Sequence, residues 1–300
     1  IMNSPTSTNP PLHLLNTWFF AIIHALAIVA IWHMVVHFSW ASLWLGVTFF
    51  VVCTFAISAG YHRLFAHPTY KTFQIFRVWH LFFGAATVQN SALKWSADHR
   101  IHHGHVDKEL DPYNIKKGFV WAHIGWILHQ AEELDYENVP DLKKDKWLMH
   151  QHRNYFWWVA VSNFILPFSL GLLWGDPWGA FLVTGCLRLV LEWHSTFSIN
   201  SLAHMLGTRP YSLANSARDS IITAVLTMGE GYHNFHHRFA NDYRNGVRWF
   251  HYDPTKWLVW TGSKLRLTWD LKKTSRDAVM RAKAKVIEEL RAQKLAAAAE

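Results

Sequence analysis

The chain alternates between long apolar runs and polar stretches dense in histidine. A helix needs about 20 apolar residues to cross the hydrocarbon core of a bilayer. Four runs reach that length: 14–36, 41–59, 155–174 and 178–197. Short turns join them in pairs, His37-Phe38-Ser39-Trp40 in one and Gly175-Asp176-Pro177 in the other. The pattern predicts two helical hairpins. Buried core helices of a soluble protein are the alternative, and the tight pairing and flanking tryptophans count against it. Between the hairpins, 75–92 is apolar but interrupted by Arg77 and Gly84. That fits a helix lying along the membrane surface or dipping into it. The stretch 107–114 reads as a loop, and the charged stretch 132–146 as a cap. Residues 255–267, with Trp257 and Trp260, read as an amphipathic surface helix, and the Ala-rich stretch 275–300 as a solvated helical tail. Residues 1–11 are polar and show no cleavable signal pattern.

Charge sets the expected orientation. Of the 29 Lys and Arg, 12 lie between the second and third runs and 16 after the fourth. Neither short turn carries any. The positive-inside rule then places both termini, and the regions 61–154 and 198–300, in the cytoplasm. The expectation is a single all-α integral membrane domain over 1–300. Its four transmembrane helices form two hairpins beneath a helical cytoplasmic cap. The net charge of +8 suits anionic headgroups or an acidic protein partner. It does not imply nucleic acid, because the aromatic residues lie mostly in the runs and at their borders. Cys53 and Cys186 both sit inside runs and form no C-x-x-C, so they read as packing residues with no disulfide or redox role.

The polar stretches carry the chemistry. Three histidine clusters stand out: His62-Arg63-Leu64-Phe65-Ala66-His67, His99-Arg100-Ile101-His102-His103 and His233-Asn234-Phe235-His236-His237. Neutral imidazole is the commonest protein ligand for transition metals. In the last two clusters the i, i+3, i+4 spacing puts three rings on one face of a helix. His62 and His67 are five apart, about 140° around an α-helix, which fits a helix that Pro68 brings to an end. Eight imidazoles exceed the needs of one ion, so the number points to two metals. Three unrelated polar helix ends are the alternative. Two H-x-x-H-H patterns in one chain argue against it. His24, His33 and His37 read as interior or interface side chains. Arg188 and Glu192, four apart in the fourth run, read as a buried ion pair bracing the helices, with a tunnel-lining role as the alternative.

The order H-x-x-x-x-H, H-x-x-H-H, H-x-x-H-H around paired apolar runs resembles the membrane fatty-acyl desaturase family, of the acyl-CoA (stearoyl-type, Δ9) kind. The resemblance extends over about 40–270. It includes Trp95-Ser96-Ala97-Asp98, Asp111-Pro112-Tyr113-Asn114, the stretch from Gly118 to Trp126, Asn200-Ser201-Leu202-Ala203-His204 and Gly229-Glu230-Gly231-Tyr232. It implies a ninth ligand, His204, and a metal-bound water held by Asn200. Spacing of i, i+4 places both on one side of a helix end. It further implies two iron ions on the nine histidines, with O2 as cosubstrate. Structural zinc, closed and four-coordinate, would use fewer ligands. Carboxylates that orient metal-bound imidazoles would come from Asp98, Glu230, Asp111 and Asp219.

Asn90 and Trp95 match the family's headgroup-side and bend-side substrate positions. Thr54, about two turns before His62 on the second helix, and Phe50, one turn further, match its tunnel end. The implied reaction inserts a cis double bond into a fatty-acyl chain. With no fused heme domain in view, electrons are expected from a separate ferredoxin or b-type cytochrome. Gln130 and Ala131 stand where animal members carry basic residues that meet the CoA phosphates, so acyl-CoA, acyl carrier protein and lipid-linked chains all stay open. Sister diiron chemistries are alternatives: terminal desaturation, acetylene formation, hydroxylation or alkene-forming decarboxylation. The non-enzyme alternative is a membrane metal-binding or transport protein. It would place its ionisable ligands at mid-membrane, unlike these clusters.

Overall fold

A computed structural model describes residues 10–129 and 136–299. Helix Leu14–Val36 is apolar on every side, yet it buries only the stripe Phe20, Ile23, Ala27 and Ala30. The remaining faces expose Trp18, Ile22, Ile28 and Trp32. Such a helix is stable where its outer surface meets lipid. Helix Trp40–Ala66 follows, with the Ser39 side chain accepting the N–H of Ser42 at its start. It runs on past the apolar run to Ala66, close to the end expected at Pro68, but its last stretch, Ala56–Ala66, is π-helical rather than α-helical.

Helix Tyr155–Trp174 completes a set of three, among the described residues, that are long and apolar enough to cross a membrane. The fourth run is one continuous helix over 177–200, started by Pro177 and by an Asp176 side chain that accepts the N–H of Gly179. Arg188, Glu192 and His194 hold down its hydropathy. By length and composition, three helices rather than four among the described residues therefore qualify as spans.

The short turns meet at one end of the molecule. Asp176 bonds His33 Nε2 at 3.1 Å and accepts from Ser42 Oγ at 2.6 Å. Between these helices, Phe20 stacks on Trp193 with centroids 4.2 Å apart.

At the opposite end sit the shorter helices Gln74–Ala85, Ala92–His105, Lys146–Arg153, Ile221–Leu226, His233–Arg238 and Pro254–Lys264. The stretch expected as one segment over 75–92 breaks after Ala85 and reverses through 86–91, with Val88 and Asn90 at φ 51° and 73°. Two glycines lock Gln74–Ala85 onto the π-helical stretch. A Cβ on Gly60 would lie 2.6 Å from His80, and one on Gly84 2.3 Å from the Tyr61 ring. Tyr61, Phe65, Leu81, Leu93, Leu148 and Val259 form the core beneath. Two-residue strands pair antiparallel, Lys71 with Trp269 and Thr72 with Thr268. Helix Arg276–Ala297, expected as a solvated tail, instead buries Val279, Ala282 and Val286, and Val279 joins Tyr211 and Phe235 in a small core.

Candidate metal centre

The nine histidines singled out from the sequence fall into two groups. His62, His67, His99, His103 and His236 form one. His102, His204, His233 and His237 form the other. Within each group the nearest ring nitrogens all lie within 4.8 Å of one another. Local winding explains the first box. In an α-helix His62 and His67 would diverge, but a π turn closes its ring between residues five apart. The His67 N–H bonds the His62 carbonyl at 3.0 Å, and the two rings sit 5.1 Å apart.

The H-x-x-H-H boxes divide between the groups. On an α-helix, positions i and i+4 differ by about 40°, whereas i+3 lies about 100° from i+4. His99 and His103 accordingly join the first group and His102 the second. In the other box His233 and His237 join the second group and His236 the first. The "one face" expected from the spacing is thus the seam between two sites. His204 reaches its group differently from the expectation. The helix ends at Asn200, and a 3-10 turn, Leu202–His204, carries the ring in.

Neighbouring groups fix the ring tautomers. His62 Nδ1 lies 3.0 Å from Glu230, and His102 Nδ1 lies 2.8 Å from Asp111. Burial alone would raise the Glu230 carboxyl. His62 and the Arg63 guanidinium outweigh that and hold it well below the usual carboxylate range. An ionised carboxylate only accepts, so each Nδ1 carries the proton and each Nε2 offers a lone pair. His204 Nδ1 lies 2.7 Å from Ser216 Oγ, which donates to Asp107 at 2.5 Å.

Asp98 and Asp219 sit differently from the expectation. Asp98 pairs with Lys94 at 3.1 Å. Asp219 accepts the Phe235 N–H at 3.0 Å, so it supports the backbone of the third box rather than a ring. Asp107 and Ser216 escaped the sequence reading, because nothing in their spacing marks them. They meet His204 only through the tertiary fold.

The donor set fits metal ions. His236 Nε2 faces His62 at 2.9 Å and His103 at 3.0 Å, and His237 Nε2 faces His102 at 3.3 Å and His233 at 2.9 Å. One N–H can serve one such contact, never both. Two nitrogens bound at right angles to one ion, each about 2.1 Å away, lie about 3.0 Å apart. Burial, then repulsion from neighbouring rings, pushes His67, His99, His103, His236 and His237 well below the ordinary imidazole value. Neutral rings with converging lone pairs are what a cation requires.

A narrow cavity of about 60 Å³ abuts both groups. His62, His99, His102 and His233 line one side, with Asn90, Trp95, Asn200 and Ile57 around it. Trp95 stacks on His99 at 4.8 Å. Phe50 and Thr54, expected at the tunnel end, are not among its lining residues. Phe50 lines a separate apolar groove of about 490 Å³, and Thr54 Oγ1 bonds the Phe50 carbonyl. The reason is again the π-helical stretch. Each π turn takes up an extra residue, so a face extrapolated from His62 at α-helical pitch rotates away. Gln130 and Ala131 lie outside the described residues.

The chain is also similar in sequence to known proteins. The sequence profile described as Fatty acid desaturase matches residues 38–267. A probable acyl-CoA desaturase of Schizosaccharomyces pombe is 43% identical over 229 residues, covering 75% of this chain and 48% of its own length. Acyl-CoA desaturase 1 of Saccharomyces cerevisiae is 39% identical over 238 residues, 78% of this chain and 46% of its own length. The chain thus spans about half the length of these two fungal relatives. A Delta(9)-fatty-acid desaturase of Caenorhabditis elegans is 34% identical over 273 residues, 89% of this chain and 81% of its own length. The match takes in all three histidine boxes and the elements that bring them together, and the chain belongs to the fatty acid desaturase family.

Proposed function

We propose that this protein is a membrane fatty-acyl desaturase that places a cis double bond, at Δ9, in an acyl thioester. The observation that carries the reading is the narrow cavity walled by rings from both histidine groups. An acyl methylene has no acidic proton, so no arrangement of acids and bases removes its hydrogens. Two iron ions, when bound, supply the oxidation of unactivated C–H bonds by O2, with electrons from a ferredoxin or b-type cytochrome. The five histidines of the first group would hold one ion. The four of the second, with Asn200 through a water, would hold the other.

The chain's own residues position and exclude. Glu230, Asp111 and Ser216 fix the rings of His62, His102 and His204 so that Nε2 points inward. Trp95 and Ile57 give the cavity apolar wall, and its small volume leaves little room for water beside a reactive centre. Asn90 lines the same cavity and would meet the polar end of the substrate. The 177–200 helix serves as a fourth crossing, with both termini and the metal centre on the cytoplasmic side. The meeting of the two short turns at Asp176 supports that arrangement.

Expression in a host that lacks unsaturated fatty acids tests the reading. A new double bond, located by mass spectrometry and absent with His102→Ala, is the expected result. A hydroxylated, acetylenic or terminal-alkene product would move the protein to a sister chemistry. No modified lipid from metal-loaded protein supplied with a donor would end the proposal.

A further inference from the structure

The cavity owes part of its wall to a strained loop. Residues 86–91 join helix Gln74–Ala85 to helix Ala92–His105. Within them Val88 has φ 51° and Asn90 φ 73°. A β-branched residue in the left-handed region is a true outlier. Such strain persists only where the surroundings over-determine it. Gln89 and Asn90, which this backbone presents, both line the cavity beside the histidines.

The restraint comes from the 177–200 helix. Arg188 donates to the Ala86 carbonyl through Nη1 at 3.1 Å and Nη2 at 3.2 Å. Trp193 Nε1 donates to the next carbonyl, Thr87, at 2.8 Å. One turn further on, Thr196 Oγ1 accepts from Gln89 Nε2 at 3.0 Å. Arg188 is itself held: Nη1 bonds Glu192 at 2.7 Å, Nε bonds the Thr184 carbonyl at 2.8 Å, and Nη2 also bonds Asn163 Oδ1. Arg188, Glu192, Trp193 and Asn163 are all buried. All five guanidinium N–H groups therefore have acceptors. A brace for the helices alone needs only the Glu192 and Asn163 contacts. The two carbonyl contacts on consecutive loop residues do something more.

We infer that Arg188 and Trp193 are positioning residues that clamp the 86–90 loop and thereby set which carbon of an acyl chain lies against the metal centre. The inference rests on the desaturase reading. Neither side chain touches the reacting atoms. Both act through the loop, by fixing where Gln89 and Asn90 stand in the cavity wall. The clamp joins the membrane-embedded part of the fold to the substrate site, which gives an ion pair at that depth a task beyond helix packing.

Two variants test it. Trp193→Phe keeps the ring packing and removes only the N–H. Arg188→Lys keeps the charge and removes the forked contact. Two readouts are taken on full-length, metal-loaded protein: hydrogen exchange of amides 86–91, and the position of the modified carbon in the product. The expected result is exchange faster by about tenfold or more, following loss of hydrogen bonds to the loop, together with modification spread over neighbouring carbons. Unchanged exchange in Trp193→Phe overturns the clamp. Faster exchange with an unshifted carbon position overturns its role in placing substrate. Should Arg188→Lys not assemble, Trp193→Phe decides alone, since it leaves the ion pair in place. Failure of the desaturase reading shows up separately, as a wild-type control that leaves every acyl chain unmodified while exchange still reports on the loop.

Discussion

At the scale of single residues, what distinguishes a metal-orienting carboxylate from an ordinary surface charge is the atom it faces. Asp98 and Asp111 flank the same histidine box in the sequence, yet Asp111 faces His102 Nδ1 at 2.8 Å and Asp98 faces Lys94 at 3.1 Å. Removing a group that orients a ligand costs roughly 10–100-fold in metal affinity. Asp111→Ala should show a loss of that size in a metal-competition titration, and Asp98→Ala none. Equal losses in the two variants would mean that the Asp111 contact orients nothing. The Asp107–Ser216–His204 chain makes a finer prediction. Asp107→Ala should weaken one of two ions and leave the other, giving a biphasic titration. A uniform loss of both ions would show that Asp107 supports the fold rather than His204.

At the scale of elements, the second helix does most to build the site. Its α-helical part was legible as an apolar run, while its π-helical end was not. The wider winding brings the His62 and His67 rings edge to face and is held by close glycine contacts with helix Gln74–Ala85. Overpacking a filled interface costs about 1–3 kcal/mol, so Gly84→Ala, whose Cβ would meet the Tyr61 ring, should lose that much in detergent-solubilised unfolding. Gly104 has nothing within 4 Å of its Cβ position. Gly104→Ala should gain about 0.5–1 kcal/mol from helix propensity alone. Identical melting curves for both variants would show that the Gly84 contact carries no stability. The same winding moved Phe50 and Thr54 off the cavity wall, because their placement assumed α-helical pitch from His62.

At the scale of the whole molecule, two predictions follow from how the halves come together. Each histidine group draws on at least three chain segments, so neither can form alone. Metal analysis of reconstituted protein should give two ions per chain, and one ion per chain would contradict the division into two groups. The second prediction concerns topology. The two short turns meet through Asp176, His33 and Ser42. Accessibility tags placed in either turn should report the same side of the membrane, opposite to tags at 270–275. A tag in the 175–176 turn that reads on the cytoplasmic side would show that the 177–200 helix does not cross.

The sequence by itself determined which side chains could bind metal and where the long apolar helices run. Both are local properties: imidazole chemistry is fixed by residue type, and apolar runs of bilayer length have few other stable forms. It also determined that the histidines outnumber the needs of one ion. Tertiary structure alone decided how they divide, because the split depends on helix rotation and on rings arriving from distant segments. It alone decided which carboxylates face a ring, since Asp98, Asp107 and Asp111 carry the same charge and differ only in where the fold points them. The Arg188–Glu192 pair shows both sides of this. Its i, i+4 spacing made the 2.7 Å contact predictable. The carbonyls of Ala86 and Thr87 that the helix clamps lie about a hundred residues earlier, and only packing brings them within reach.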